Sequence, residues 1–129
     1  MYQQALKFIA AKHAGQKRRN GNPYIIHPIR VSQEVKSDEE KVVALLHDVV
    51  EDTQTSLKEI ADTFGKPVAE AVEALTCRVG EDYIEYIKRV KANPIAATVK
   101  IADISDNLSD SPSSNAIERM AKALDLLVN

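Results

Sequence analysis

Leu45-Leu46-His47-Asp48-Val49-Val50-Glu51-Asp52-Thr53 is the stretch from which fold and chemistry are both read. Its lead-in, Val42 to Leu46, is almost continuously apolar, and a helix that apolar belongs at the centre of a core. If the helix continues, His47 and Glu51 share a face, as do Asp48 and Asp52, because residues four apart are neighbours on a helix. Four ionisable side chains then crowd one end of the central helix. Three carboxylates in that space repel one another unless a cation neutralises them, and His and Asp are good ligands for a first-row divalent metal. The plainer alternative is a polar helix end, with Glu51 and Asp52 solvated and His47 a hydrogen-bonded core histidine. Leu45, Leu46, Val49 and Val50 tie the segment to the interior and favour the cation.

Two further segments carry the same chemistry. Pro23-Tyr24-Ile25-Ile26-His27-Pro28 places a histidine just before a helix opened by Pro28. Proline restricts its predecessor, so His27 is fixed in direction. It is a candidate third ligand; alone it could equally be a capping or surface histidine. Val99-Lys100-Ile101-Ala102-Asp103-Ile104-Ser105-Asp106-Asn107 sets Asp103 inside an apolar helical run, with Asn107 one turn on along the same face. A buried carboxylate is costly unless paired or metal-bound. The alternatives for Asp103 are an ion pair with Lys100 and metal ligation, and the two other segments favour ligation.

The rest of the chain reads as all-α. It has 129 residues, 4 Gly, 5 Pro and 5% aromatics, with many Ala, Leu, Glu and Lys, which favours helices. One domain over 1–129 is the expectation at this length. Helical periodicity gives about eight helices. Leu6, Ile9, Ala10 and His13 mark a face of the first, stopped near Gly15. The second runs from Pro28 to about Lys36, and Asp38 is read as the cap of the third. Ser56 and Glu59 have capping-box spacing for a fourth. Pro67 opens a fifth that ends near Thr76, Asp82 caps a sixth with Ile84, Ile87 and Val90 inward, and Asn93-Pro94 starts a seventh through Leu108. Ser114 or Asn115 starts the last, whose stripe of Ile117, Met120, Leu124 and Leu127 either closes the core or meets a second copy in a homodimer. No alternation marks a strand. Two loops stand out, the basic and polar Gly15 to Tyr24 and the Ser-, Asp- and Asn-rich Ser109 to Asn115.

The formal charge of −2 and a pI near 5.9 supply no global basic field, so nucleic acid is not an expected partner. Lys12, Lys17, Arg18 and Arg19 are the one dense basic cluster, suited to local phosphate capture or else a solvated loop. The single cysteine, Cys77, reads as an apolar filler and fits a cytoplasmic setting. No apolar run approaches the roughly 20 residues of a membrane span, so no membrane partner is expected, and Met1 to Ala11 lacks the apolar segment of a signal peptide.

The assembled motifs resemble the hydrolase domain of the RelA/SpoT alarmone enzymes, above all the small alarmone hydrolases of the metazoan SpoT-homologue type. The matching pieces are Ala5-x-x-Phe8, His13-x-Gly15-Gln16, Arg18-Arg19-x-Gly21-x-Pro23-Tyr24-Ile25-x-His27-Pro28, Leu46-His47-Asp48-x-x-Glu51-Asp52-Thr53, Phe64-Gly65 and Val99-Lys100-Ile101-Ala102-Asp103-x-x-x-Asn107-Leu108. They cover nearly the whole chain in family order. The resemblance implies an HD-domain helical bundle and a manganese ion on His27, His47, Asp48 and Asp103. It implies removal of the 3′-pyrophosphate of guanosine tetra- or pentaphosphate, with Glu51 and Asp52 activating or positioning water. Arg18 and Arg19 match nucleotide-contacting positions and Asn107 a position lining the nucleotide pocket. Lys100, in the same motif, joins the expected substrate set, as does Tyr24, which would stack on a base or pack as an apolar group.

The donor set agrees with that implication. Two histidines and two carboxylates suit Mn2+, or Fe2+ or Co2+, better than a closed structural zinc site, and leave room for water and substrate. Two departures bear on the pocket: Ile104 stands where the family commonly carries Arg, and Ser109 to Asn115 is short and lacks Arg. Nothing follows Asn129, so no synthetase or regulatory domain is expected. These departures keep a hydrolase of another phosphorylated nucleotide open as a second reading, and a non-catalytic module binding metal, nucleotide or protein as a third. The retained Glu51 and Asp52 argue against the third.

Overall fold

The computed structural model describes residues 1–110 and 112–129, and over these the chain is all-α. The helices are α1 (Tyr2–Lys12), α2 (Ile26–Gln33), α3 (Asp38–Leu46), α4 (Val49–Asp52), α5 (Leu57–Phe64), α6 (Lys66–Leu75), α7 (Tyr83–Lys91), α8 (Pro94–Leu108) and α9 (Ser114–Val128). No strand occurs among the described residues; a single antiparallel bridge, Lys17 to Pro23, pinches the loop after α1. The eight expected helices are all present, and the extra element arises because the third is broken in two.

That break shapes the site. Val42, Val43, Ala44, Leu45 and Leu46 are all buried, and α3 packs against α1, α2, α6 and α8. Burying each large side chain contributes about 1.5–3 kcal/mol, which pins the C-terminal end of α3 in the interior. There the Nδ1 of His47 lies 2.6 Å from the carbonyl oxygen of Ala44. Asp48 sits at φ −107°, ψ 1°, and α4 restarts at Val49. The expected face shared by His47 and Glu51 on one helix is therefore replaced by a corner. Asp48 and Asp52 stay one turn apart, linked by the bond from Asp52 N–H to Asp48 O at 3.0 Å.

Helix starts follow the side-chain caps, with adjustments. Ser37, not Asp38, caps α3: its hydroxyl accepts from Glu40 N–H, and the Glu40 carboxylate accepts from Ser37 N–H, a complete capping box. Ser56, Asp82 and Asn93 cap α5, α7 and α8 as expected, and Ser113 caps α9. Pro28 lies inside the first turn of α2 rather than at its start, where its missing N–H costs nothing. His27 is thus the second residue of the helix rather than its predecessor, and α2 ends at Gln33, short of Lys36.

On α1, Ala5 and Ile9 are buried, as is His13 just past its end, while Ala10 faces out, and Phe8 meets Phe64 of α5 edge-to-face at 5.4 Å. On α9, Leu127 is buried, Met120 and Leu124 pack partly against the core, and Ile117 is exposed, so most of that stripe closes the core. Among the described residues no helix is long and apolar enough to cross a membrane.

Candidate metal centre

The bundle brings His27, His47, Asp48 and Asp103 to one point. His27 comes from the first turn of α2, His47 and Asp48 from the α3–α4 corner, and Asp103 from the middle of α8. Each offers one ligand atom, and the four atoms lie within 4.8 Å of one another. The two Nε2 atoms are 3.2 Å apart. Asp103 Oδ1 is 2.8 Å from His27 Nε2 and 3.1 Å from His47 Nε2, and Asp48 Oδ2 is 3.1 Å from His47 Nε2.

The opposite edge of each imidazole also has a partner. A carbonyl can only accept, so His47 Nδ1 donates to Ala44 O, and the neutral ring then carries its lone pair on Nε2. His27 Nδ1 likewise faces Asp106 Oδ2 at 2.7 Å. Two ring nitrogens and two carboxylate oxygens converge, and such a group at these distances needs positive charge, from protons or from a cation. The titration behaviour shows the same demand. Burial pushes the His47 pKa down, but Asp48 and Asp103 override it and hold it well above the ordinary value. Burial works against ionising Asp103, yet Lys100 and His47 keep its carboxyl well below the usual range. Asp48, similarly opposed by burial and favoured by His47, falls to about 2. Donor types, spacing and hydrogen-bonded outer nitrogens all fit a divalent cation.

The remaining expected site residues divide into three groups. Glu51 and Asp52 lie at the solvent edge of the cluster. Glu51 Oε1 accepts from Cys77 N–H at 2.5 Å. Its pKa is raised, first by burial of the carboxyl and then by Asp48 and Asp52 against the opposing Cys77 bond. Burial, then the charge of Asp48, pushes Asp52 up to about 6.

Lys100, Asn107 and Tyr24 touch the cluster itself. Lys100 Nζ donates to Asp103 Oδ2 at 2.9 Å, so Asp103 makes the ion pair and faces the cluster at once, one oxygen for each. Asn107 Nδ2 donates to Asp103 Oδ1 at 3.2 Å, and the Tyr24 hydroxyl donates to Asp48 Oδ2. The Tyr24 ring packs between His13 (4.8 Å) and His27 (5.8 Å).

The basic cluster is dispersed. Lys12 pairs with Glu59, and Arg18, with its side chain only 5% exposed, turns inward to Asp106 (3.1 Å) and Asp110 (3.3 Å). Arg19 lines a cavity of about 230 Å3 together with Asn107, Asp110 and Arg119. Asn107 joins this cavity to the cluster. Ile104 is buried in the core, and of the short 109–115 loop Ser111 lies outside the described residues. Arg18→Ala is accordingly expected to destabilise the fold by about 3 kcal/mol, because it leaves Asp106 and Asp110 short of a buried partner; chemical denaturation measures it.

Residues that sequence reasoning gave no role are Asp106, Arg119 and His13. His13 was visible as one member of the α1 face. It is buried, its Nδ1 is 2.8 Å from Gln16 Oε1, and burial lowers its pKa. Gln16 in turn donates to the backbone oxygen of Asp52 at 3.0 Å, which ties the loop after α1 to α4.

Comparison with known proteins bears on this geometry. The family model described as HD domain matches residues 5–124. The chain belongs to the HD domain family. This HD domain is similar to the guanosine-3′,5′-bis(diphosphate) 3′-pyrophosphohydrolase of Aquifex aeolicus (strain VF5), at 39% identity over 119 residues, covering 82% of this chain and 17% of the relative. It is similar to the bifunctional (p)ppGpp synthase/hydrolase SpoT of Escherichia coli (strain K12), at 47% identity over 68 residues, covering 50% of this chain and 10% of the relative. The HD domain therefore spans a small part of the length of these curated relatives. Among solved structures it superposes on a protein described as a metazoan ortholog of SpoT that hydrolyzes ppGpp and plays a role in starvation responses. That match has a TM-score of 0.83 and 28% identity and covers 98% of this chain and 84% of the other.

Proposed function

We propose that this HD domain is a metal-dependent phosphohydrolase that removes the 3′-pyrophosphate from guanosine tetra- or pentaphosphate. The observation that carries the reading is the convergence of His27 Nε2, His47 Nε2, Asp48 Oδ2 and Asp103 Oδ1 on one point with Glu51 and Asp52 beside it. Similarity to the Aquifex enzyme and to the metazoan SpoT ortholog supports this choice of substrate. His27, His47, Asp48 and Asp103 hold the cation, with Mn2+ the first choice and Fe2+ or Co2+ the alternatives for this donor set.

A divalent cation bound there lowers the pKa of water and polarises a phosphoryl oxygen. Asp52 takes the proton of the attacking water, since a carboxyl near pH 6 is matched to neutral solution. Glu51, held by Cys77 N–H, orients that water. Water adds to phosphorus as its proton passes to Asp52, the bond from phosphorus to the 3′-oxygen breaks, and the 3′-oxygen takes a proton from solvent water, to which Asp52 returns its own. Tyr24 and Lys100 orient Asp48 and Asp103, while Arg19, Asn107 and Arg119 line the adjoining cavity as the nucleotide's seat. The protein acts as a single catalytic unit in the cytoplasm, on nucleotide rather than nucleic acid.

The base role has a sign in pH. Asp52 is active ionised, so kcat is expected to rise as pH climbs through about 6; a bound cation favours the carboxylate and moves that limb lower. A kcat–pH profile checks it, and Asp52→Asn should erase the limb.

A second substrate reading, another phosphorylated nucleotide, is favoured by the inward turn of Arg18, which leaves it directed at Asp106 and Asp110 rather than at the cavity. Turnover of guanosine tetraphosphate against a panel of nucleoside mono-, di- and dinucleotide phosphates separates the two. The proposal requires guanosine tetraphosphate to give the highest kcat/KM; robust turnover of another nucleotide alone would shift the substrate and keep the chemistry.

A further inference from the structure

The two histidines of the cluster are oriented by different means. His47 is held by a backbone carbonyl that no side-chain change removes, whereas His27 is held by a side chain, Asp106. Asp106 lies one turn beyond the middle of α8 and is buried. Its carboxylate collects three donors. His27 Nδ1 lies 2.7 Å from Oδ2, Arg18 Nη1 lies 3.1 Å from Oδ2, and Arg30 Nε lies 2.6 Å from Oδ1. His27 and Arg30 are a turn apart on α2, and Arg18 reaches in from the loop after α1.

The chemistry of that arrangement is specific. A neutral imidazole carries one N–H, and the nitrogen that holds it cannot present a lone pair. A carboxylate at Nδ1 competes for the ring proton with Asp103 Oδ1, 2.8 Å from Nε2; a cation beside Nε2 leaves the proton to Asp106, and two guanidinium groups fix that carboxylate in place. We infer that Asp106 is a positioning residue: it locks His27 in the Nδ1–H tautomer with Nε2 presented to the metal centre, and Arg18 and Arg30 brace it. Arg18 thereby couples the loop carrying Arg19 and Tyr24 to the geometry of the metal ligand. The inference rests on the metal reading above.

Asp106→Asn keeps the shape but offers one acceptor oxygen to three donors and turns an amide NH2 toward another donor. Loss of an outer partner of a ligating histidine lowers metal affinity about 10- to 100-fold. The test has two readouts on the full chain. The first is the histidine tautomer, from 15N-edited NMR of the histidine side chains in the metal-free protein. The second is the Mn2+ dissociation constant from calorimetry. Wild type is expected to show His27 protonated at Nδ1, with Asp103 Oδ1 competing at Nε2 from 2.8 Å. Asp106→Asn is expected to show mixed tautomers and a dissociation constant raised about 10- to 100-fold. A merely structural role would lower thermal stability and leave the tautomer alone. Wild-type tautomer and affinity in Asp106→Asn would overturn the inference.

Should that variant fail to fold, Arg30→Ala decides. The Arg30 side chain is 55% exposed, so its removal releases one brace without opening the core, and a several-fold weaker Mn2+ affinity is expected; unchanged affinity would overturn the inference. The tautomer readout needs no metal. A wild-type chain that binds no Mn2+ therefore contradicts the metal reading while His27 still decides the case of Asp106.

Discussion

Asp103→Ala is expected to abolish metal binding and turnover together and to lower the stability of the fold by about 3–5 kcal/mol. The size follows from how its carboxylate is divided. Oδ1 faces His27, His47 and Asn107, and Oδ2 pairs with Lys100. Asp103 is almost fully buried, and the Lys100 side chain is only 15% exposed. Truncation thus removes a cation ligand and leaves an ammonium in the interior without its carboxylate. Asp103→Asn should retain more stability, because the amide keeps the shape and one acceptor oxygen, yet it should still lose most of the metal affinity. Denaturant unfolding and Mn2+ titration of the two variants separate these effects. Wild-type Mn2+ affinity in either variant would remove Asp103 from the ligand set.

Asp52→Asn is expected to lower kcat by about 10²- to 10⁴-fold, the usual contribution of a positioned general base, with Mn2+ affinity close to wild type. Its carboxyl stands at about 6 because burial and Asp48 disfavour the charged form, which makes it a proton acceptor that still functions at neutral pH. Glu51→Gln should cost less: the amide oxygen can still accept from Cys77 N–H, so what is lost is charge rather than anchorage. Single-turnover rates with saturating metal read the difference. A wild-type kcat in Asp52→Asn would assign the proton transfer elsewhere, and Glu51 is then the residue to test.

Much of this was legible in the sequence because its causes are local. Helix starts at Ser56, Asp82 and Asn93 depend on residues within one turn, and the placement of α3 depends on its own unbroken run of apolar side chains. Even the choice between Ser37 and Asp38 is a shift of one residue, settled by which side chain can reach Glu40 N–H. The cost of burying carboxylates argued for a cation near Asp48 and Asp103, and the resemblance to the alarmone hydrolases implied the full set with His27 and His47, though no local rule foresaw the corner at His47. What stayed hidden depends on distant partners. Arg18 reads as a loop cation free for phosphate until α8 supplies Asp106 and the following turn Asp110. Asp106 stands 79 residues from His27, and nothing in its own neighbourhood distinguishes it from a solvated helix carboxylate. Lys100 and Asp103 were read as alternatives, ion pair or metal ligand, because a sequence does not show that a carboxylate's two oxygens can serve both.

The most direct test of the metal-dependent chemistry is phosphorus NMR of guanosine tetraphosphate incubated with the chelator-stripped protein, before and after adding Mn2+. Appearance of free pyrophosphate only after Mn2+ is added, and its loss in Asp103→Asn, is the expected result. A folded, Mn2+-loaded chain that releases neither phosphate nor pyrophosphate from this or any other nucleotide would contradict the account and leave a binding module in its place.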